Sequence, residues 1–168
     1  MTVEVNAVLT ARRLCEPTRP APGAVCRPLA DDDDWAQAVW LRLACYDRGE
    51  DLDYRLFVEQ QVREARELCR RGHGAWFGAF VSGQMRSGCG VFTDGSGVLR
   101  FQNVETDPGY RRRGLASHVV YETGRYGLTK LGARTLVIVA DAGDVAIGVY
   151  RSLGFADAER QVQLQRPS

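Results

Sequence analysis

A strand candidate that runs into a basic, glycine-containing turn and then directly into a helix constrains this chain more than any other stretch. Val98 to Thr106 mixes β-branched and aromatic residues, and Asp107-Pro108-Gly109 stops it with one residue that lacks an N–H and one that tolerates positive φ. The run Tyr110-Arg111-Arg112-Arg113-Gly114-Leu115-Ala116 follows at once and leads into a helix. The first backbone N–H groups of a helix have no intrahelical partner and carry the positive end of its dipole, so they point at whatever fills the turn. A phosphate suits that position. Gly114 permits close approach to the backbone, Ala116 keeps the next site small, and the three arginines offer charge-assisted hydrogen bonds to phosphate oxygens.

Upstream, Ala75 to Val81 and Gln84 to Phe92 alternate around Ser82-Gly83, a tight hairpin signal, and Asp94-Gly95-Ser96-Gly97 makes a second turn into Val98. Three antiparallel strands result. Before them, Val25 to Leu29 reads as a short strand, and Asp31 to Asp34 open a helix carrying Trp35, Val39, Leu43 and Tyr46, with the aspartates as N-cap and first-turn residues. Leu52 to Cys69 reads as a second, amphipathic helix with a solvated charged face. After the basic turn and its helix come a buried strand at Val137 to Ala140, a helix from Ala146, and a final strand through Val162 to Leu164. The order is that of an α+β fold, a mixed and mostly antiparallel central sheet flanked by about four helices. Residues 1–23, with an apolar patch from Val3 to Leu9 and then Pro17, Pro20 and Pro22, read as an N-terminal arm and linker whose order is left open, and 24–168 as the domain.

A chain of 168 residues buries roughly 70% of its unfolded surface in one core. A net charge of +1 gives no basis for general binding to nucleic acid or to a membrane surface. No apolar run approaches the roughly 20 residues of a membrane span, and the start lacks a signal peptide's apolar stretch, so a cytoplasmic protein is expected. The cysteines are odd in number, with no C-x-x-C and no histidine cluster, and read as reduced packing residues. The aspartate run lacks the partners of a ligand cage, so no metal is expected. Gly72-His73-Gly74 and Gly88-Cys89-Gly90 precede or sit within strands, which excludes the dinucleotide-binding reading of their glycines.

The spacing Arg111-x-x-Gly114-x-Ala116, after a strand ending in Thr106-Asp107-Pro108, resembles the acetyl-CoA-binding motif of the GCN5-related N-acetyltransferase (GNAT) superfamily. The later block, Val137 to Ala140 followed by Ala146 to Phe155, is similar to the family's last helix and the strand entry after it. The resemblance implies that the strands before and after the motif helix splay apart and bind the pantetheine arm of acetyl-CoA as an added strand. It further implies that backbone groups of Val104, Glu105 and Thr106 contact pantetheine and the acetyl carbonyl, and that Arg111, Arg112, Arg113, Gly114, Leu115, Ala116 and Ser117 hold the pyrophosphate. Tyr150 falls where many relatives place a tyrosine near the CoA sulfur, acting as general acid; a buried packing tyrosine is the other reading.

Two positions depart from the pattern. The family's asparagine before the last helix is Gly143 here, and any capping role passes to Asp144; the glutamate some protein-acetylating relatives carry in the preceding strand is apolar Ile138. Glu105 is then the candidate base, directly or through water, against the alternative of a strand-end charge. His73 and His118 read as surface or packing residues, and Cys89 as a buried strand thiol. The implied activity is acetyl-CoA-dependent N-acetylation of a small-molecule amine or a peptide or protein amine, by direct attack in a ternary complex. A non-catalytic acyl-CoA-binding module is the alternative, and a homodimer stays open.

Overall fold

The computed structural model describes residues 2–166. Its elements run β1 (Thr2–Ala11), β2 (Ala24–Pro28), α1 (Asp32–Tyr46), α2 (Leu52–Arg70), β3 (Gly74–Val81), β4 (Gln84–Thr93), β5 (Val98–Thr106), α3 (Leu115–Lys130), β6 (Thr135–Asp141), α4 (Ala146–Ser152) and β7 (Ala156–Gln165). Local chemistry sets the starts of the early helices: the Asp31 carboxylate accepts from the Asp34 N–H and the Asp51 carboxylate from the Tyr54 N–H. Among the described residues no helix is long and apolar enough to cross a membrane.

The strands form one sheet in the order β2-β3-β4-β5-β6-β1-β7. All neighbours are antiparallel except β5 and β6, which run parallel. The fold is α+β with a mixed, mostly antiparallel sheet, as the order of elements requires. One expectation is corrected. Residues 2–11, read as part of an arm, are the strand β1, and β1 lies between β6 and β7. A domain starting at residue 24 would leave β7 without the neighbour that joins it to the sheet. Ala7, Leu9 and Ala11 put their side chains into the core, which is why this segment is ordered by tertiary packing; only the proline-bearing residues 12–23 remain a connection.

Period-two alternation divides the side chains between two faces. Phe77, Val91, Leu99, Phe101 and Leu136 pack with Val119, Val120 and Leu153 of the α3 and α4 layer. Trp76 and Phe80 pack instead with Trp35, Leu41, Val58 and Val62 of α1 and α2. Burying each such aliphatic side chain contributes about 1.5–3 kcal/mol. Helix α3 comes unusually near the sheet because Gly124 and Gly127 face it: a Cβ on Gly127 would lie 2.7 Å from Leu99 Cδ1, and one on Gly124 3.0 Å from Leu136 Cδ1. That close seating places the N-terminus of α3 beside the end of β5.

Candidate active site

β5 and β6 pair only through Val98 with Thr135, Leu99 with Leu136 and Arg100 with Val137. Beyond Arg100 the two strands diverge, β5 running on to Thr106 and β6 to Asp141 without further pairing. On its other side β5 carries a bulge. Gly88 faces Glu105 and Gly90 faces Gln102, so Asn103 and Val104 oppose the single residue Cys89. Asn103 sits at φ 51°, the left-handed region that asparagine tolerates better than most residues. Backbone groups at the bulge are thereby turned out of the ladder, beside an opening in the sheet. Such an opening accepts an extended chain of matching hydrogen-bonding groups.

The turn at the end of β5 is braced before the helix begins. Arg86 Nη1 donates to Asp107 Oδ2 at 2.9 Å, the Asp107 N–H donates to the Arg86 carbonyl at 2.7 Å, and Asp107 Oδ1 accepts from the Gly109 N–H. Arg86 and Arg113 both lie against the Tyr110 ring, 4.3 Å and 4.6 Å from its centroid. Arg112 at φ 62° and Gly114 at φ 77° turn the chain into α3, and no side chain caps that helix. Its first N–H groups are thus unspent by the protein, the electrostatic condition for an anion. The space in front of Gly114 is occupied by protein, however. A Cβ there would meet the Pro20 carbonyl oxygen at 3.3 Å, and His118 Nε2 lies 2.8 Å from the Arg19 carbonyl oxygen. Residues 12–23 therefore run as a strap past the Gly114 turn, held there by His118 through the Arg19 carbonyl.

Glu105 lies on the α1 and α2 side of the sheet and is 6% exposed. Arg42 Nε donates to its Oε1 at 3.2 Å, while Arg42 Nη1 donates to Gln61 Oε1 at 3.1 Å. The second carboxylate oxygen, Oε2, is buried with no hydrogen-bond partner. Burial raises the Glu105 pKa above the ordinary carboxylate range, and the adjacent guanidinium opposes that rise. Beside the pair, Cys45 Sγ donates to the Thr106 carbonyl at 3.3 Å, and burial pushes this thiol up to about 11. Thr106 Oγ1 and Ser87 Oγ are hydrogen-bonded at 2.9 Å.

Tyr150 is buried in α4 on the opposite face, its ring edge-on to Phe155 at 6.3 Å. Desolvation raises its pKa well above the tyrosine value, with the neighbouring Cys89 and Asp144 adding to the effect. Glu105 and Tyr150 thus belong to different faces of the sheet. Asp144 Oδ1 accepts from the Ala146 N–H at 2.9 Å and Asp141 Oδ1 from the Gly143 N–H at 2.8 Å, so the two aspartates flanking Gly143 order the entry to α4.

Other candidates resolve as structural groups. Burial pushes the Cys89 thiol up to about 12 and its Sγ donates to Thr123 Oγ1, which leaves it inert. Asp31, Asp33 and Asp34 are close enough to share a cation, but Asp34 is engaged by Arg27 and by the Ala30 N–H, and Asp31 caps α1. Sequence reasoning missed Arg42, Gln61 and Asn103. Arg42 had a signal: it lies seven residues after Trp35, on the stripe that buries Trp35, Ala38 and Leu41.

The chain matches the Acetyltransferase (GNAT) family over residues 35–155. It belongs to that family. No curated protein matches it. Among solved structures, a GNAT-family protein from Novosphingobium aromaticivorans is similar at 20% identity and TM-score 0.66, with 96% of this chain and 63% of that one covered. A GNAT acetyltransferase from Sphaerobacter thermophilus is similar at 18% identity and TM-score 0.72, covering 96% of this chain and 51% of that one. AAC(6')-Iy, solved in complex with the bisubstrate analog CoA-S-monomethyl-acetylneamine, is similar at 20% identity and TM-score 0.67, over 86% of this chain and 99% of that one. The chain spans between half and two thirds of the length of several of the GNAT structures it matches. These likenesses confirm the fold: the splayed sheet and four helices are those of a GNAT protein.

Proposed function

We propose that this protein moves an acetyl group from acetyl-CoA to an amine by direct attack in a ternary complex. The observation that carries the reading is the divergence of β5 from β6 beyond Arg100, with the Asn103 bulge on one wall and the uncapped start of α3 at its mouth. Val104, Glu105 and Thr106 hold the pantetheine arm through their backbone groups, as an added strand is held. Amides from Arg112 to Ser117 cradle the pyrophosphate, with Arg111, Arg112 and Arg113 supplying charge. The thioester supplies an electrophilic carbonyl and a thiolate leaving group.

Glu105 accepts a proton from the acceptor's ammonium group, directly or through a water molecule, which frees the nitrogen lone pair for attack on that carbonyl. A carbon–nitrogen bond forms and the carbon–sulfur bond breaks. Burial keeps Tyr150 protonated across the neutral range, so it donates its proton to the departing sulfur, and the second proton shed by the newly acylated nitrogen makes good that loss. The acceptor is a small-molecule amine or an amine on a peptide or protein, and it enters from the α1 and α2 side, where Glu105 lies.

One observation favours a non-catalytic acyl-CoA-binding module instead: Gly143 stands where relatives carry an asparagine, which removes a side-chain contact to pantetheine. Measuring thiol release from acetyl-CoA across a panel of small amines and amine-bearing peptides separates the two. The enzyme reading requires release that depends on amine; binding of acetyl-CoA without release from any amine would support the module.

A further inference from the structure

Among the described residues, Arg42 and Glu105 are the one salt bridge with both side chains buried, at 4% and 5% exposure. Arginine and a carboxylate usually meet as two parallel forks, consuming both carboxylate oxygens. Here they do not. Nε reaches Glu105 Oε1, and Nη1 is turned away to Gln61 Oε1 on α2. The Trp76 ring, 5.7 Å from the guanidinium carbon, flanks the group. Three elements, α1, α2 and the sheet, therefore fix its orientation. The consequence is the unpartnered Oε2 of Glu105, an arrangement that costs stability and that buried polar groups otherwise avoid.

We propose that Arg42 is a positioning residue for Glu105: with Gln61 occupying its second arm, it binds one carboxylate oxygen only and leaves Oε2 as the acceptor for the proton of the incoming amine. This rests on the reading of Glu105 as the base. Next to the guanidinium is a cavity of about 140 Å³, lined by Arg42, Gln61, Glu64, Trp76, Gln102 and Asn103 and not by Glu105 itself, which has room for a water on the Arg42 side of the pair. The proton leaves the ammonium nitrogen, reaches the buried Oε2 through an intervening water, and is returned to solvent after product departs.

The arrangement also governs when Glu105 is ionised. Around the carboxylate stand Arg42, Cys45 and Tyr46 on α1, Glu64 of α2 lines the cavity beside Arg42, and Asp107 and Arg111 reach the neighbouring Cys45 from the turn. β4 contributes Ser87, whose hydroxyl donates to the Glu105 carbonyl at 2.9 Å. Arg42 is the cation in contact, and it opposes the upward pull of burial. Removing a cation at this range raises a carboxylate pKa by about 1–3 units.

The test compares turnover against pH for the wild type, Arg42→Met, Arg42→Lys and Glu105→Gln, together with the pH titration of the Glu105 carboxyl carbon by NMR. Arg42→Met should move both the acidic limb of turnover and the carboxyl titration upward by about 1–3 pH units, lower turnover about 10²-fold near neutrality, and recover most of it at alkaline pH. Arg42→Lys, which keeps a cation beside Glu105, should undo much of that shift. A uniform loss with unmoved limb and titration would overturn the proposal. If Arg42→Met does not fold, the double variant Arg42→Met/Glu105→Gln, which leaves no unpaired buried charge, is compared with Glu105→Gln alone. Equal turnover supports the proposal, and a further loss at every pH contradicts it. Full activity in Glu105→Gln would instead remove the base reading itself, whatever Arg42 does.

Discussion

The two sides of the gap between β5 and β6 are built from different materials. On the side toward α3 the candidate site is made of backbone: a left-handed Gly114 and helix N–H groups with no capping side chain. On the side toward α1 and α2 it is made of side chains, Arg42, Gln61 and Glu105, drawn from three elements and separated by up to 63 positions in the sequence. Backbone sites need particular residues at fixed short spacing, because only certain residues adopt the required φ. Side-chain sites need only that a fold bring groups together, so they write no local signature. Under the function proposed above, the first side holds the acyl donor common to the family and the second is where acceptors are told apart.

Substitutions should separate the two sides cleanly. The largest effects are expected at the reacting groups. Tyr150→Phe and Glu105→Gln should each lower turnover by about 10²–10⁴-fold while leaving the dissociation constant for acetyl-CoA within a few-fold of wild type. For Glu105→Gln the loss should be greatest near neutrality and shrink at alkaline pH, because an alkylammonium of pKa about 10.4 then loses its proton to solvent. The sign follows from the raised pKa of Glu105: the carboxylate is competent above it, so wild-type activity climbs with pH from a point above the usual carboxylate range. If Tyr150→Phe turns over normally, the ring is packing alone.

A second tier concerns binding. Gly114→Val should weaken acetyl-CoA by about 10²-fold in calorimetry, since a β-branched residue resists positive φ and misplaced amides forfeit charged hydrogen bonds worth roughly 1.5–3 kcal/mol each. The Pro20 carbonyl adds a second reason, because a Cβ there displaces the strap as well as the turn. Arg113→Ala should have the smallest effect, about tenfold or less, because its guanidinium lies against Tyr110 on an exposed turn. A loss at Arg113 exceeding that at Gly114 would mean side-chain charge, rather than backbone, dominates the phosphate side.

The same contrast explains what could be read before the fold was in hand. The hairpin at Ser82-Gly83, the aspartate caps of the first two helices and the strand, turn and helix order around Gly114 are local, and each appears where its residues demand. β1 escaped because its place between β6 and β7 is decided by partners more than a hundred residues away, while the prolines after it imitate a linker. Asn103 reads as an ordinary strand residue until its neighbour across the sheet is known to be shared with Val104. Glu105 was visible as a carboxylate, but its pairing was not, because Arg42 looked like one more charge on a helix.

Whether acetyl-CoA occupies the opening between β5 and β6 is decided by a crystal structure of the protein with acetyl-CoA bound. The pantetheine arm should lie beside β5 with hydrogen bonds to the backbone of Val104, the pyrophosphate on amides between Arg112 and Ser117, and the thioester between Tyr150 and Glu105. Acetyl-CoA bound elsewhere, with the β5 and β6 opening filled only by solvent, would contradict this placement.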